Sequence, residues 1–210
     1  MAGPTVETRQ ERKERTRQAI LDAALELVAE EGLAALSLRQ LTRAVGIVPT
    51  AFYRHFASVD ELGLALVDRS FASLRLMIRE ARQGNPQLAG VIRSSVAILV
   101  QHVHSDRTYF RFIARERFGG VPVVRQAIRH ELELFERELA TDLGRLPGLE
   151  TWTAEDLRVM ANLVVNAMVS TAEDILDAPP ERPEVERRIV RTAEKQLRMI
   201  VVGAVNWRST

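Results

Sequence analysis

The side chains best suited to chemistry gather in one stretch, residues 37–56, which reads SLRQLTRAVGIVPTAFYRHF. It carries hydroxyl, phenol, imidazole and guanidinium groups, and residues 32–57 contain no Asp or Glu. Groups of these types hydrogen-bond to phosphate oxygens and to the base edges that a DNA groove exposes. A basic surface confined to one region can bind phosphate even though the whole chain of 210 residues has a formal net charge of only +1.

The spacing of apolar residues predicts that this stretch folds as two short helices joined by a tight turn. A capping box at Ser37 opens the first helix, and Gly46 suits its end. Proline favours the first turn of a helix, so we expect the second to begin at Pro49 and to run to Phe56. Helices this short are marginal in water, and a preceding helix predicted over residues 11–30 must hold their apolar faces. Three helices so arranged form a helix-turn-helix, whose second motif helix enters the major groove.

The second short helix is predicted to present a polar face to DNA. At about 100° per residue, Phe52 and Phe56 share the side that faces the first helix, whereas Arg54 points away from it. Arginine pairs with guanine edges, and small apolar side chains touch the thymine methyl group. His55 projects nearer the core, so we expect it at a backbone phosphate or against a neighbouring side chain. The residues predicted to contact DNA are Arg12, Lys13, Ser37, Arg43, Val48, Pro49, Thr50, Tyr53, Arg54 and His55.

Apolar residues recur at intervals of three and four almost throughout the chain, which predicts an all-α protein of about nine helices. We expect two domains: residues 1–57 as a three-helix DNA-binding unit, and residues 58–210 as a helical bundle far larger than DNA recognition requires. One helix of the bundle is predicted to start at Asn85-Pro86. The fourth helix, opened by a capping box at Ser58, connects the two domains and is the expected lever between them.

The composition excludes several classes of protein. The chain has no cysteine, which rules out disulfides, thiolate metal sites and thiol catalysis. Its four histidines form no metal-binding motif and there is no glycine-rich phosphate loop, so we expect no enzyme activity, metal or cofactor. The longest apolar run, residues 159–170, contains two asparagines and is shorter than a membrane span, which predicts a soluble, cytoplasmic protein without a membrane partner.

Residues 46–56, GIVPTAFYRHF, followed by Glu61-Leu62, resemble the signature of the TetR family of bacterial transcriptional regulators. Within that family the chain is most similar to the FabR and DesT repressors of unsaturated fatty acid synthesis, over residues 37–68, 91–96, 115–117, 196–200 and 203–204. The resemblance implies a homodimeric repressor that binds a palindromic operator in double-stranded DNA and responds to a small-molecule effector. For the fatty acid repressors it implies that the effector is a long-chain acyl thioester such as acyl-CoA.

Two positions depart from the family's pattern. Many relatives have a lysine near the start of the fourth helix that grips a phosphate, where this chain reads AlaSerValAsp at residues 57–60. Backbone amides at the Ser58 cap are the expected substitute for that lysine. Val48 stands where serine is commoner, which removes a side-chain cap from the recognition helix.

The resemblance also assigns two roles to the larger domain. The residues expected to line an apolar effector tunnel with a positive mouth are Phe71, Leu74, Ile78, Val96, Leu99, Val103, Phe110, Arg111, Ile113, Arg115, Phe135 and Met168. The last two helices are expected to dimerise through Met160, Ala161, Val164, Val165, Ala193, Leu197, Ile200 and Ala204. Two alternatives stay open: the effector is another apolar molecule or drug, or the chain is an all-helical enzyme acting on acyl thioesters.

Overall fold

The computed structural model of the protein describes residues 8–82 and 88–209, and within them the chain forms nine α-helices and no β-strand. The all-α class that the periodicity predicts is therefore confirmed. The predicted helix start at Asn85-Pro86 lies outside the described residues. A short 3-10 turn, Leu33–Ala35, follows the first helix, and the α-helices are α1 (Arg9–Glu31), α2 (Leu38–Val45), α3 (Pro49–Phe52), α4 (Val59–Arg82), α5 (Leu88–Ser105), α6 (Arg107–Glu116), α7 (Pro122–Leu143), α8 (Ala154–Asp177) and α9 (Pro183–Asn206).

Local hydrogen bonds account for where the helices near the N-terminus begin and end. The Ser37 hydroxyl accepts a hydrogen bond from the N–H of Gln40 at 3.4 Å, and the Ser58 hydroxyl accepts one from Glu61 at 3.1 Å. These side chains satisfy amide donors that the first turn of a helix leaves free. Gly46 ends α2 with a φ of 74°, a left-handed conformation that glycine adopts at little cost. The hydroxyl caps and the glycine end predicted at these positions are confirmed. The return bonds of the predicted capping boxes are not, since the described residues show none from Gln40 to Ser37, and Glu61 accepts from the Ala57 N–H.

Helix α3 is shorter than the predicted span of residues 49–56. It ends at Phe52, and in the following turn the N–H of Arg54 donates to the Ala51 carbonyl at 3.2 Å. The N–H of His55 donates to the Phe52 carbonyl at 2.8 Å in the same way. Bonds between residues three apart wind the chain more tightly than an α-helix does. The predicted end of this helix is therefore wrong by about one turn.

Helix α1 supplies the apolar stripe around which the first three helices pack. Its residues Ile20, Ala24 and Val28 are fully buried at helical spacing, and they belong to the same apolar cluster as Phe52 and Phe56. Helix α1 packs on α2 and also on α4 and α6 of the larger bundle. Burial of one large apolar side chain stabilises a fold by about 1.5–3 kcal/mol. The two short helices therefore stay folded because α1 covers their apolar faces.

One continuous apolar cluster spans both predicted domains, so the core does not break at residue 57. Leu33, in the turn after α1, is buried where α4 and α7 meet. A methyl group added at Gly63 would lie 2.5 Å from Leu33 Cδ2 and 2.7 Å from Val124 Cγ2, closer than packed carbon atoms approach. Glycine in α4 therefore lets the N-terminal helices seat against the bundle. The division into two domains stays a prediction.

We expect Gly63→Ala to destabilise the protein by about 1–3 kcal/mol, because the added methyl group overlaps Leu33 and Val124. Gly120→Ala is the control, since its added carbon would have one ordinary contact, 3.4 Å from the Ala34 side chain. Its free energy of unfolding should stay within about 0.5 kcal/mol of that of the wild type. Urea denaturation followed by circular dichroism measures both free energies of unfolding. Equal stability of the two variants would contradict the packing argument.

Candidate nucleic-acid interface and effector cavity

The outward face of α3 and of the turn after it, residues 53–55, carries groups that the sequence predicts to contact DNA. Thr50 and Arg54 are exposed, and 58% of the Tyr53 surface is accessible. Val48 and Pro49, where the helix begins, are exposed as well. Val48 is the N-terminal capping residue and supplies no side-chain hydrogen bond, as its replacement of a serine predicts. A hydroxyl, a phenol, a guanidinium and two apolar side chains thus share one surface.

Aromatic packing beneath this surface holds the Tyr53 ring in place. The ring meets that of Phe52 edge-on, with centroids 5.4 Å apart and planes at 86°. The Phe52 ring in turn lies 5.7 Å from that of Phe56, and both phenylalanines are fully buried. Edge contacts of this kind are favourable because the positive edge of one ring meets the negative face of the other. The phenol of Tyr53 therefore projects from a rigid base.

Helix α1 contributes an arginine that the sequence reasoning missed as a site residue. The Arg17 guanidinium lies 4.2 Å above the Phe56 ring, and its NH1 donates a 2.9 Å hydrogen bond to the His55 carbonyl. A cation over an aromatic face stabilises by about 0.5–2 kcal/mol, so Arg17 fastens the end of α3 to α1. The signal in the sequence is its spacing of four residues from Lys13, which puts both cations on one helix face.

His55 lies half-buried below this surface, and its Nδ1 has no hydrogen-bond partner among the described residues. Burial lowers the pKa of His55 below the usual 6.5. Among its charged neighbours Glu14 raises the pKa, but three cations lower it further: Lys13, Arg17 and Arg54. The imidazole is therefore neutral at pH 7. Since α1 and α3 both place cations near it, the two helices form one positively charged surface.

The first turns of α1 and the last turn of α2 carry further cations predicted to reach phosphate. Thr8 and Glu11 form a capping box, in which the Thr8 hydroxyl accepts from the Glu11 N–H at 3.2 Å and the Glu11 carboxylate accepts from the Thr8 N–H at 2.7 Å. This box closes the exposed end of α1. Arg12 and Lys13 follow it and are exposed, as is Arg43 on α2.

A carboxylate occupies the start of α4. Glu61 Oε2 accepts a hydrogen bond from the Ala57 N–H, while the Glu61 N–H donates to the Ser58 hydroxyl. The expectation that amides of this cap replace the missing lysine is therefore revised for the Ala57 and Glu61 amides. A phosphate would have to displace the Glu61 carboxylate from the first and the Ser58 hydroxyl from the second. Ser37 is also used locally: its exposed hydroxyl accepts the Gln40 N–H, which leaves its own O–H to donate to DNA.

A cavity of about 400 Å³ opens between α4 and α7. Two predicted tunnel residues, Ile78 and Phe135, lie in its more buried part, and the exposed Arg79 lies at its rim. Its other lining residues are polar: Arg75, Glu138, Thr141 and Asp142. Arg75 also pairs with the Glu131 carboxylate on α7. The volume lies within the range of small-molecule sites, and charged groups surround an apolar patch.

The remaining apolar residues predicted for the tunnel are packed in the core. Met168 is partly buried, and the buried ones are Phe71, Leu74, Val96, Leu99, Val103, Phe110 and Ile113. They line neither the cavity between α4 and α7 nor a second cavity of about 440 Å³, which is bordered by His104, Arg107 and Glu186. The structure therefore brings Ile78 and Phe135 to an opening and keeps the other residues in closed packing.

Two arginines predicted at the tunnel mouth face α1 instead. Arg111 pairs with the Glu30 carboxylate. Arg115 NH1 donates hydrogen bonds to the carbonyls of Ala29 at 3.3 Å and Glu30 at 2.6 Å. Neither arginine lines the cavity between α4 and α7. Their place at the end of α1 depends on how α6 packs, which the local sequence does not reveal.

Comparison with known proteins settles which family this arrangement represents. Residues 20–66 match the family model described as bacterial regulatory proteins, tetR family, and residues 88–202 match the tetracyclin repressor-like C-terminal domain. The second match by itself covers more than half of the chain. The chain belongs to the TetR family. TetR-family proteins are DNA-binding transcriptional regulators and not enzymes, so the acyl-thioester enzyme alternative is set aside.

Solved structures share the fold of this TetR-family chain at low sequence identity. A transcriptional regulator from Rhodococcus sp. Rha1 is 20% identical with a TM-score of 0.67, over 90% of this chain and 97% of that one. Salmonella enterica GusR is 18% identical with a TM-score of 0.69, over 95% and 98%. FadR from Bacillus subtilis in complex with stearoyl-CoA is 15% identical with a TM-score of 0.65, over 89% and 98%. At these identities the likeness establishes the fold alone.

In this TetR-family chain, the residues predicted to dimerise divide into two groups. Met160, Ala161, Ala193 and Leu197 are buried in the chain's own core, against α5 and α7, so their predicted contact with a partner is corrected. Partly exposed are Val164, Val165, Ile200 and Ala204. More exposed apolar side chains, between 51% and 80% accessible, lie on the same two helices: Val159, Leu163, Met199, Val202 and Val205. Because α8 is apolar on two faces, its periodicity does not distinguish the inner face from the outer one.

Helix α8 also has the length and composition of a membrane span. An 18-residue window in it has a mean hydropathy of 1.3, and 33% of that window is buried. One face packed inside the TetR-family fold and a second apolar face turned outward account for this hydropathy.

Among the side chains of the described residues, no group of three or more His, Asp or Glu could hold a metal ion.

We expect the stability of this TetR-family protein to fall as the pH drops from about 8 to about 5.5. The folded state holds the pKa of His55 below its value in the unfolded chain, so the unfolded state takes up more protons as the pH falls through 6.5. His55→Gln cannot titrate and should lose this part of the pH dependence, whereas His130→Gln, at an exposed site on α7, should keep it. Urea unfolding at several pH values gives the slopes, and equal slopes for wild type and His55→Gln would contradict the assignment.

Proposed function

We propose that the protein is a homodimeric transcriptional repressor that binds a palindromic operator through α3 and responds to long-chain acyl-CoA. Membership of the TetR family makes it a DNA-binding regulator. One observation carries the rest of the DNA-binding assignment. Thr50, Tyr53 and Arg54 stand exposed over a buried aromatic base, next to cations from α1.

In this proposal α3 enters the major groove and its side chains take separate roles. Arg54 offers paired N–H donors to the O6 and N7 atoms of guanine, and Thr50 donates to a base or a phosphate. Val48 and Pro49 pack against a thymine methyl group. Tyr53 donates its phenol O–H to a phosphate, and the other phosphate contacts come from Arg12, Lys13, Ser37, Arg43 and His55.

The outward apolar face of α8 and α9 supports the homodimer. Met199 is 72% exposed and Val205 is 80% exposed, and Leu163 lies exposed on the neighbouring helix. Exposed apolar patches on soluble proteins mark interaction sites. Packing this helix pair against its copy about a two-fold axis forms a four-helix core. Two copies of α3 then meet DNA half-sites about 34–36 Å or a multiple apart, which is why the operator is palindromic.

The fold and the cavity support an acyl-CoA effector. FadR from Bacillus subtilis, which shares this fold, was solved with stearoyl-CoA, and FadR from Bacillus halodurans is a fatty acid degradation regulator. The resemblance of this chain's motifs to those of FabR and DesT, as interpreted from the sequence, favours the same class of effector. At the cavity, Arg75 and Arg79 offer N–H donors to phosphate, and Ile78 and Phe135 begin an apolar path inward.

An acyl chain that follows this path has to separate side chains that pack together in the core. The Phe135 ring lies 5.6 Å from the Phe71 ring, and both belong to the main apolar cluster. An empty cavity costs about 24 cal/mol per Å³, but an acyl chain replaces the contacts that the rings lose. Effector binding therefore shifts helices that contribute to this cluster, among them α4, α6 and α7.

We expect Arg54→Ala to weaken operator binding by about 10- to 150-fold and to relax the preference for guanine at one position of each half-site. Arg43→Ala should weaken binding to all sequences alike, because it loses a phosphate contact. The slope of log affinity against log salt concentration should become shallower by about one. The operator for these measurements is DNA that the purified protein selects from a random library. Fluorescence anisotropy at several salt concentrations then gives the operator affinity and the stoichiometry.

Arg129→Ala is the control for both variants, because Arg129 is an exposed arginine on α7. It should bind the selected DNA as the wild type does, with two chains for each palindrome. If Arg54→Ala binds with the affinity and base preference of Arg129→Ala, the placement of α3 in the groove is wrong.

We expect saturating palmitoyl-CoA or oleoyl-CoA to change operator affinity, and coenzyme A alone to leave it unchanged. Ile78→Trp should abolish the response without altering operator affinity in the absence of effector, since the indole fills the cavity between α4 and α7. Val123→Trp, at a partly exposed position on α7, is the matched insertion outside that cavity. A response only to apolar compounds without the CoA group would support the alternative effector class and exclude acyl-CoA.

A further inference from the structure

We propose that Arg115 and Glu116 of α6 are positioning residues for DNA binding, because they clamp the C-terminal end of α1 and thereby set the direction in which α1 presents α3. The sequence points to α4 as the lever between the two parts of the molecule. The contacts of α6 with the end of α1 form a second connection between the two parts of the molecule, separate from α4. The effector arm of the test rests on the proposed acyl-CoA response, and the other arms do not.

The C-terminal end of α1, where a positive charge is favourable, has no basic residue of its own. Its last turn contains Glu30 and Glu31 and no basic residue. The C-terminal end of a helix carries partial negative charge and carbonyl groups without partners inside the helix. Two acidic side chains there add to the unfavourable charge. A stable end of α1 therefore needs donors from elsewhere in the fold.

One face of α6 supplies those donors. Arg115 donates to the carbonyls of Ala29 and Glu30, and Arg111 pairs with the Glu30 carboxylate. Thr108 donates to the Glu26 carboxylate at 3.3 Å. Residues 108, 111 and 115 are spaced three and four apart, so they lie on the same side of α6. The C-terminal end of α1 is thus capped by another helix.

Glu116 extends the clamp into the turn after α1. It is only 2% exposed, and its Oε1 accepts a 2.8 Å hydrogen bond from the N–H of Leu33. Its Oε2 is buried and accepts no hydrogen bond from the described residues, so the Leu33 amide is its anchoring contact. A methyl group at Gly119 would lie 2.3 Å from that oxygen, which shows how closely the turn after α6 fits around the carboxylate.

The clamp acts at a distance through the stiffness of α1. Arg17, which fastens the end of α3, lies 13 residues before Glu30, or about 20 Å along the helix axis at 1.5 Å per residue. A tilt of about 5° at the clamp therefore displaces Arg17 by about 2 Å. A shift of that size separates a recognition helix from its base contacts in one half-site.

The opposite side of α6 faces the core that the effector is proposed to part. Phe110 and Ile113 are buried in the same cluster as Phe71 and Phe135. A single helix of ten residues thus has one face against the apolar core and another against the end of α1. A change in core packing that moves α6 is passed directly to α1.

Arg115→Ala tests the clamp, and Arg117→Ala is the matched control. Arg117 lies two residues further on, but its guanidinium pairs with Glu173 on α8 at 3.2 Å and not with α1. We expect Arg115→Ala to bind the selected operator at least fivefold more weakly, with the wild-type salt dependence, because no phosphate contact is lost. Arg117→Ala should match the wild type. A lowered salt dependence in Arg115→Ala, or unchanged operator affinity, would overturn the proposal.

Hydrogen exchange measured by mass spectrometry follows the clamp without any effector. Arg115→Ala should speed amide exchange in residues 29–33, and Glu116→Gln should keep Leu33 protected because the amide oxygen still accepts its hydrogen bond. Arg115 is exposed, so Arg115→Ala leaves the core intact. The test therefore does not depend on whether a variant of the buried Glu116, such as Glu116→Ala, folds. Wild-type exchange in residues 29–33 of Arg115→Ala would exclude the clamp.

The effector arm separates failure of the clamp from failure of the proposed function. Arg115→Ala should bind palmitoyl-CoA within twofold of wild type, while the change in operator affinity caused by palmitoyl-CoA shrinks at least fivefold. Full coupling in this variant would overturn the proposal. If palmitoyl-CoA binds neither wild type nor variant, the acyl-CoA assignment fails, and operator affinity with hydrogen exchange still decides the clamp.

Discussion

Helices of eight and four residues do not stay folded alone in water, so α2 and α3 exist because α1 covers their apolar faces. Helix α1 also contacts α4 and α6, so it joins the short N-terminal helices to the larger bundle. Near its N-terminal end it fastens α3 through Arg17, and at its C-terminal end α6 holds it through Arg115. The surface proposed to bind DNA is consequently placed by contacts that lie outside it. A regulator built this way can change DNA affinity without altering any group that touches DNA.

Charge in this molecule is arranged locally and nearly cancels overall. The +1 net charge of the chain hides a cationic surface, which adds to the effect of burial in lowering the pKa of His55. Acidic groups limit that surface on two sides, since Glu14 lies near His55 and Glu61 occupies the amide of Ala57. Near His55, these two carboxylates limit the cationic surface to the turn after α3, to α2 and to the first turns of α1. Such confinement favours one docking orientation on the duplex over others.

The apolar core of the larger bundle serves stability and, in the proposed function, effector binding. Phe71 and Phe135 pack together there, and a cavity reaches Phe135 from between α4 and α7. Dense packing transmits displacement, because side chains at close contact have no free volume to absorb it. In the proposed function, the same dense packing links effector binding at this cavity to α6. The coupling is limited by the difference in effector affinity between the two packings.

Short-range patterns predicted a large share of this protein. The caps at Ser37 and Ser58 and the buried face of Phe52 follow from residues within one or two turns of each other. The shortened α3, the inner face of α8 and the partners of Arg115 do not, since each depends on which elements meet. The bond from Arg17 to His55 spans 38 residues, and that from Leu33 to Glu116 spans 83. Sequence periodicity encodes which side of a helix is apolar, but only close packing in three dimensions decides what covers it.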